Sequence, residues 1–177
     1  MRCAEVSRRT GETDINISLD LDGQGTSNLD TGMGFFEHML NLFTTHGQFN
    51  LKVECSGDLF VDGHHSVEDI GIALGQAFAK AMGDKVGIKR YGTAFVSMDE
   101  ALIMVSLDLS GRAFLNYEVL VKAQMIGDYD TELTEEFLRA FAFNAGITLH
   151  VKMMAGSNSH HIVEGVSLPI ASIADSA

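Results

Sequence analysis

The stretch HMLNLFTTHGQFNLKV, His38 to Val53, has a counterpart in EFLRAFAFNAGITLHV, Glu136 to Val151, at an offset of 98. Each begins in apolar residues at helical spacing: Phe36, Met39, Leu40 and Phe43 in the first copy, Phe137, Leu138, Phe141 and Ala142 in the second. Each then changes to strict alternation, Phe49-Leu51-Val53 against Ile147-Leu149-Val151. A helical period that gives way to a period of two across a glycine is a helix running into a half-buried strand.

The likeness extends in both directions. Upstream, ETDINISLDLDG (Glu12 to Gly23) matches EALIMVSLDLSG (Glu100 to Gly111) at an offset of 88, with SLDL identical. Ile15, Ile17, Leu19 and Leu21 lie on one face of the first segment, as Ile103, Val105, Leu107 and Leu109 do on the second, so both are half-buried strands ended by a glycine turn. Downstream, HHSVEDIGIAL from His64 matches HHIVEGVSLPI from His160 at an offset of 96. Blocks in one order at nearly constant offset are a duplication. Each half reads as strands, helix, strand, then a helix opened by HHxxE. The fold class is α+β, and residues 1–177 form a single domain of two pseudo-symmetric halves, about 1–88 and 89–177.

Composition narrows the function. Hydrophobic residues at 46% with 20% charged are those of a globular chain. The net charge of −12, with no cluster of Lys and Arg, argues against a nucleic-acid partner. No apolar run is long enough to span a bilayer, and the opening Met-Arg-Cys-Ala lacks the apolar stretch of a leader. Cys3 and Cys55 cannot make a disulfide framework, so the expected location is the reducing cytoplasm.

The HHxxE segments carry the chemistry. Residues four apart on a helix stack, so His64 with Glu68, and His160 with Glu164, can each share one ligand sphere. His65 and His161 point about 100° away and serve a different ion. Imidazole and carboxylate suit Mn, Fe, Co or Zn. A lone His pair is ordinarily a surface feature; two pairs at equivalent places in a duplicated chain argue for ligands. Pseudo-twofold symmetry suggests one set of His38, His64, Glu68 and a crossing His161, and a mirror set of Glu136, His160, Glu164 and a crossing His65. Glu136 is an acid where its repeat partner is His38, and Glu135 beside it competes for the role.

The motifs RTGETDINISLDLDGQG, TGMGFFEHML, HGQFNLKVECSGDLFVDGHHSVEDIGIALG, GIKRYG, MDEAL, DLSGR and TLHVKMMAGSNSHHIVEG closely resemble imidazoleglycerol-phosphate dehydratase, from about Arg8 to Gly165. The resemblance implies that each half is a four-stranded sheet backed by two helices, a duplicated βαβ-type unit of the ribosomal protein S5 domain 2-like kind. It implies dehydration of imidazole glycerol phosphate to imidazole acetol phosphate in L-histidine biosynthesis, with two Mn²⁺ ions per active site holding the substrate imidazolate. It further implies a large homo-oligomer, a 24-mer, with sites between subunits. By position, the metal ligands fall on His38, His64, His65, Glu68, Glu136, His160, His161 and Glu164. Glu12, His46, Arg90 and Arg112 match substrate-contacting positions, together with His38 and His64; Glu12, Glu68 and Glu164 are the proton-transfer candidates. Asp62, Asp69, Asp99 and Glu100 read as supporting residues, and His150, aligned with Lys52 on an outward strand face, is left out of the site.

Such a dehydration takes a poorly acidic proton from carbon. Metal ions acting as Lewis acids on an imidazole ring remove the need for a strong base, and Arg90 and Arg112 would clamp the phosphate. One departure bears on this. After HHIVEG the family continues with Phe-Lys and a long alanine-rich helix, whereas this sequence has Val166-Ser167-Leu168-Pro169 and ends at Ala177. Leu168 stands where a phosphate-binding lysine is expected, and Pro169 should kink the helix or restart it. Lys89 or Lys152 could take over the phosphate; otherwise the chain is a weakened member that keeps metal-dependent assembly.

Overall fold

The computed structural model describes residues 2–175, except that the side chains of 168–175, those of Leu168 and Pro169 among them, lie outside the described residues. The alternation read from Ile15, Ile17 and Leu19 becomes the central strand β2 (Thr13–Asp20), with those three side chains buried. β2 pairs antiparallel with β1 (Cys3–Arg9) and with β4 (Asn50–Gly57), and β4 takes β3 (Thr26–Asp30) in parallel. The sheet order is β1-β2-β4-β3. A parallel neighbour needs a crossover, and α1 (Gly34–His46) supplies it between β3 and β4. α2 (His64–Met82) then returns across β1 and β2.

The second half repeats this. β5 (Tyr91–Met98), β6 (Ala101–Asp108), β7 (Phe114–Glu118) and β10 (Thr148–Ala155) form a sheet in the order β5-β6-β10-β7. α3 (Leu133–Ala145) packs by β7 and α4 (Ser159–Asp175) across β5 and β6. A small hairpin, β8 (Met125–Ile126) with β9 (Tyr129–Asp130), is inserted before α3 and has no counterpart in the first half. Its length is why the repeat offset grows from 88 to 98.

The inner faces of both sheets, Ile17, Leu51 and Val53 on one side and Ile103, Val105 and Val151 on the other, are buried against the four helices. At about 1.5–3 kcal/mol per fully buried aliphatic side chain, this sandwich is what holds the halves together. The helices pack across the halves: α1 lies against α4, and α2 against α3. The reason lies in the sheets. α1 covers the β3 edge and α2 the β1–β2 side, about two strand spacings or roughly 10 Å apart, so each meets a helix of the facing sheet. Gly71 and Gly75 let α3 approach. A Cβ on Gly71 would stand 2.9 Å from the Phe137 carbonyl oxygen, and one on Gly75 2.6 Å from that of Phe141.

α4 carries helical backbone through Pro169 to Asp175, where the sequence suggested a kink or restart. Among the described residues no helix is long and apolar enough to cross a membrane.

Candidate active site

The cross-packing of α1 on α4 brings His38 to His160 and Glu164. One potential ligand atom from each lies within 4.8 Å of the others. Nε2 of His160 is 3.1 Å from Oε2 of Glu164, the contact that four-residue spacing on a helix provides. Phe35 presents an edge to the His160 ring, with centroids 5.2 Å apart. Within the chain this differs from the grouping suggested by symmetry. His38 joins His160 and Glu164, not His64 and Glu68, because its helix faces the other half.

The symmetry mate is more open. On α2, Nε2 of His64 is 3.8 Å from Oε2 of Glu68, and both side chains are 46% exposed. His64 and Glu136 line one cavity of about 570 Å³ between α2, α3 and the added hairpin, together with Asp62, Asp128, Asp130 and Glu132. Glu136 thus stands with His64 rather than with His160 and Glu164. Its neighbour Glu135 is ion-paired with Arg139 one turn on, which takes it away from the cavity.

The second histidine of each pair is turned nearly perpendicular to the first, at 90° for His64–His65 and 82° for His160–His161. Nδ1 of His65 donates to Asp58, at 3.2 and 3.0 Å from its two oxygens. Nδ1 of His161 donates to Oε2 of Glu100 at 2.8 Å. These hydrogen bonds raise both imidazole pKa values. The same bond, with the backbone N–H groups of Asn158 and Ser157, pulls the Glu100 carboxyl down to about 2. The helix starts are also matched: Asp62 Oδ1 accepts the His64 N–H, and Asn158 Oδ1 accepts the His160 N–H.

These donors fit divalent cations. Bonds from imidazole or carboxylate to such ions are about 2.0–2.2 Å, which puts donors roughly 3–4 Å apart. The His38–His160–Glu164 cluster is within a small side-chain adjustment of that spacing. Five carboxylates and no Lys or Arg line the cavity beside His64, a lining that suits cations.

A family model for imidazoleglycerol-phosphate dehydratase matches residues 31–172. The chain belongs to that family. It is 60% identical to imidazoleglycerol-phosphate dehydratase of Acetivibrio thermocellus over 162 residues, covering 92% of this chain and 83% of the relative. Over 164 residues it is also 60% identical to that of Thermoanaerobacter pseudethanolicus, covering 93% and 84%. The crystal structure of the Staphylococcus aureus dehydratase superposes with a TM-score of 0.90 at 38% identity, covering 99% of this chain and 97% of that one. The Pyrococcus furiosus structure gives 0.85 at 31% identity, covering 97% and 92%. The two four-stranded sheets backed by helices are those of this family.

The remaining positions noted from the dehydratase resemblance separate in space. Glu12 is exposed and close enough to His65 for its charge to favour the imidazolium. Arg90 and Arg112 come together: both hold Asp108, whose carboxyl pKa they lower, Arg90 with Nε at 2.7 Å and Arg112 with a terminal nitrogen at 3.4 Å. Asp108 ends β6, and Glu100 precedes its first residue. The arginines are therefore roughly 25 Å from Glu100 and the His161 it holds, at ~3.3 Å per strand residue. His46 is exposed in the last turn of α1, about 12 Å of helix rise beyond His38. Lys152, considered for the phosphate, is ion-paired with Glu118 at 3.0 Å.

Of the supporting acids, Asp69 buttresses the fold, accepting from Arg8 at 2.9 Å and Thr13 at 2.6 Å. Asp58 was missed. No residue of its kind occupies the matching place in the second half, so the repeat did not point to it.

Proposed function

We propose that this chain dehydrates imidazole glycerol phosphate to imidazole acetol phosphate, a step of L-histidine biosynthesis, using two divalent cations, manganese foremost. Family membership supports the lyase activity. The metal part rests on one observation, the convergence of His38, His160 and Glu164 from two halves of the chain. These three would hold one cation, and His64, Glu68 and Glu136 the other, while His65 and His161 offer their Nε2 atoms outward. When bound, the cations would supply Lewis acidity toward the substrate's imidazole.

The chain's own groups account for the rest. Hydroxide leaves the carbon bonded to the ring, a proton leaves the neighbouring carbon, and the resulting enol rearranges to the ketone. Glu12 is the group for the proton. Its repeat partner Glu100 is fixed by His161 and two backbone N–H groups, whereas Asp58 holds His65 in the first half and the Glu12 carboxylate has no partner among the described residues. Glu164, only 15% exposed and held by His160, acts as ligand; Glu68 is more accessible and could relay the proton.

Arg90 and Arg112 present guanidinium groups suited to a phosphate. Their distance from His161 of their own chain supports a site assembled between copies, the substrate's two ends being bound by different subunits, as in a 24-mer. Free Cys3 and Cys55 accord with a cytoplasmic setting.

The test is turnover of imidazole glycerol phosphate by the full chain, with metal counted in parallel. Manganese-dependent ketone formation with two ions per active site is expected. Metal-dependent assembly without turnover would instead favour a weakened member in which Leu168 has cost the phosphate grip.

A further inference from the structure

The two HHxxE segments offer each first histidine to its own helix glutamate through Nε2, at 3.8 Å for His64 and 3.1 Å for His160. The second histidines do the opposite. Nδ1 is taken by a carboxylate from outside the helix, Asp58 for His65 and Glu100 for His161. A carboxylate only accepts, so a neutral ring so held carries its hydrogen on Nδ1 and its lone pair on Nε2. The nearest acid to Nε2 of His161 is Asp99, at 3.9 Å and 83% exposed, beyond hydrogen-bond reach.

The carboxylates come from unrelated places. Asp58 follows β4 in the loop before α2, and both of its oxygens face His65. Glu100 sits at the β5–β6 turn and divides its oxygens. One takes His161; the other accepts the N–H groups of Ser157 at 3.1 Å and Asn158 at 2.6 Å, just before α4. Asn158 in turn caps His160. Glu100 thus ties the orientation of His161 to the start of the helix that carries His160 and Glu164. In the first half Asp58 holds only His65, and Asp62, the counterpart of Asn158, caps His64 independently of it.

We infer that Asp58 and Glu100 are positioning residues of unequal reach: each fixes the tautomer and direction of one outward histidine, and Glu100 additionally sets the opening turn of α4. The inference rests on the proposed two-cation function. Losing an outer carboxylate behind a ligating histidine weakens metal binding by roughly 10- to 100-fold. Asp58→Ala should weaken only the cation served by His65. Glu100→Ala should weaken two, the one served by His161 and the one at His38–His160–Glu164.

The experiment uses the full-length chain. In metal-free protein with ¹⁵N-labelled histidine, long-range ¹H–¹⁵N correlations read the tautomers at a pH where the rings are neutral, and Mn²⁺ titration then gives affinities. The wild type should show His65 and His161 protonated on Nδ1. Each Ala variant should lose that preference at its own histidine alone, with affinity falling by the stated factor, and Asp58→Glu and Glu100→Asp should recover part of it. Asp58→Leu and Glu100→Leu, similar in bulk but without an acceptor, replace any Ala variant that fails to fold. Unchanged tautomers, unchanged affinity, or equal breadth of effect for the two residues overturns the inference. A wild type that binds no Mn²⁺ overturns the two-cation function instead, while its tautomers still report on the positioning.

Discussion

The two HHxxE segments share a sequence pattern and a place in the fold, yet they sit in different surroundings. At His160 the glutamate one turn on is 15% exposed, in contact, and joined by His38. At His64 the glutamate is 46% exposed and 3.8 Å away, and the third residue, Glu136, lies across an open acidic cavity. Duplication therefore copied the donors, while the partners that complete each site were settled separately. The first half meets its cavity through an added hairpin and a glutamate, the second through an aromatic wall and a histidine.

If both segments are ligand sets, His160→Ala and His64→Ala each remove one cation: metal content falls from two to one per active site and turnover disappears. Normal metal content in either variant would refute the assignment for that half. The contrast between the halves is sharpened by their glutamates. Glu164→Gln should weaken its cation by the upper part of the ~1.5–3 kcal/mol carried by charged hydrogen bonds, and Glu68→Gln by the lower part, since water can replace an exposed oxygen. Equal losses in a Mn²⁺ titration would erase the distinction.

Packing offers a subtler break. Gly75→Ala drives a Cβ against the Phe141 carbonyl oxygen and should destabilise the chain by about 1–3 kcal/mol. That lowers the melting temperature by about 2–4 °C per kcal/mol. It should also loosen the His64–Glu136 side while sparing His38–His160–Glu164. The smallest effect separates two adjacent acids: Glu136→Gln weakens the cation at His64 selectively, whereas Glu135→Gln loses only a surface ion pair with Arg139, ~0–1 kcal/mol, and leaves metal affinity intact.

Much of this was legible in the chain. Alternation at Ile15–Leu21 and Ile103–Leu109, helical spacing at Phe36–Phe43, and the nearly constant offset of the repeat specify β2, β4, β6, β10 and the four helices, because local periodicity records which face is buried; β1, β3, β5 and β7, which complete the sheets, followed only from the family resemblance. The candidate donors were legible too, since HHxxE stands at equivalent places in both halves. What did not show was the grouping. Whether His38 meets His64 or His160 depends on how the helix layers of two sheets interdigitate, and no local pattern encodes that. Asp58 escaped because its counterpart duty falls on Glu100, from a different loop, and the distance from Arg90 and Arg112 to His161 follows from strand direction alone.

The crosswise grouping is tested most directly by a crystal of the Mn²⁺-loaded protein, with the ions located by anomalous scattering. One manganese should lie on His38, His160 and Glu164, and a second on His64, Glu68 and Glu136. A manganese bound jointly by His38, His64 and Glu68 would contradict it.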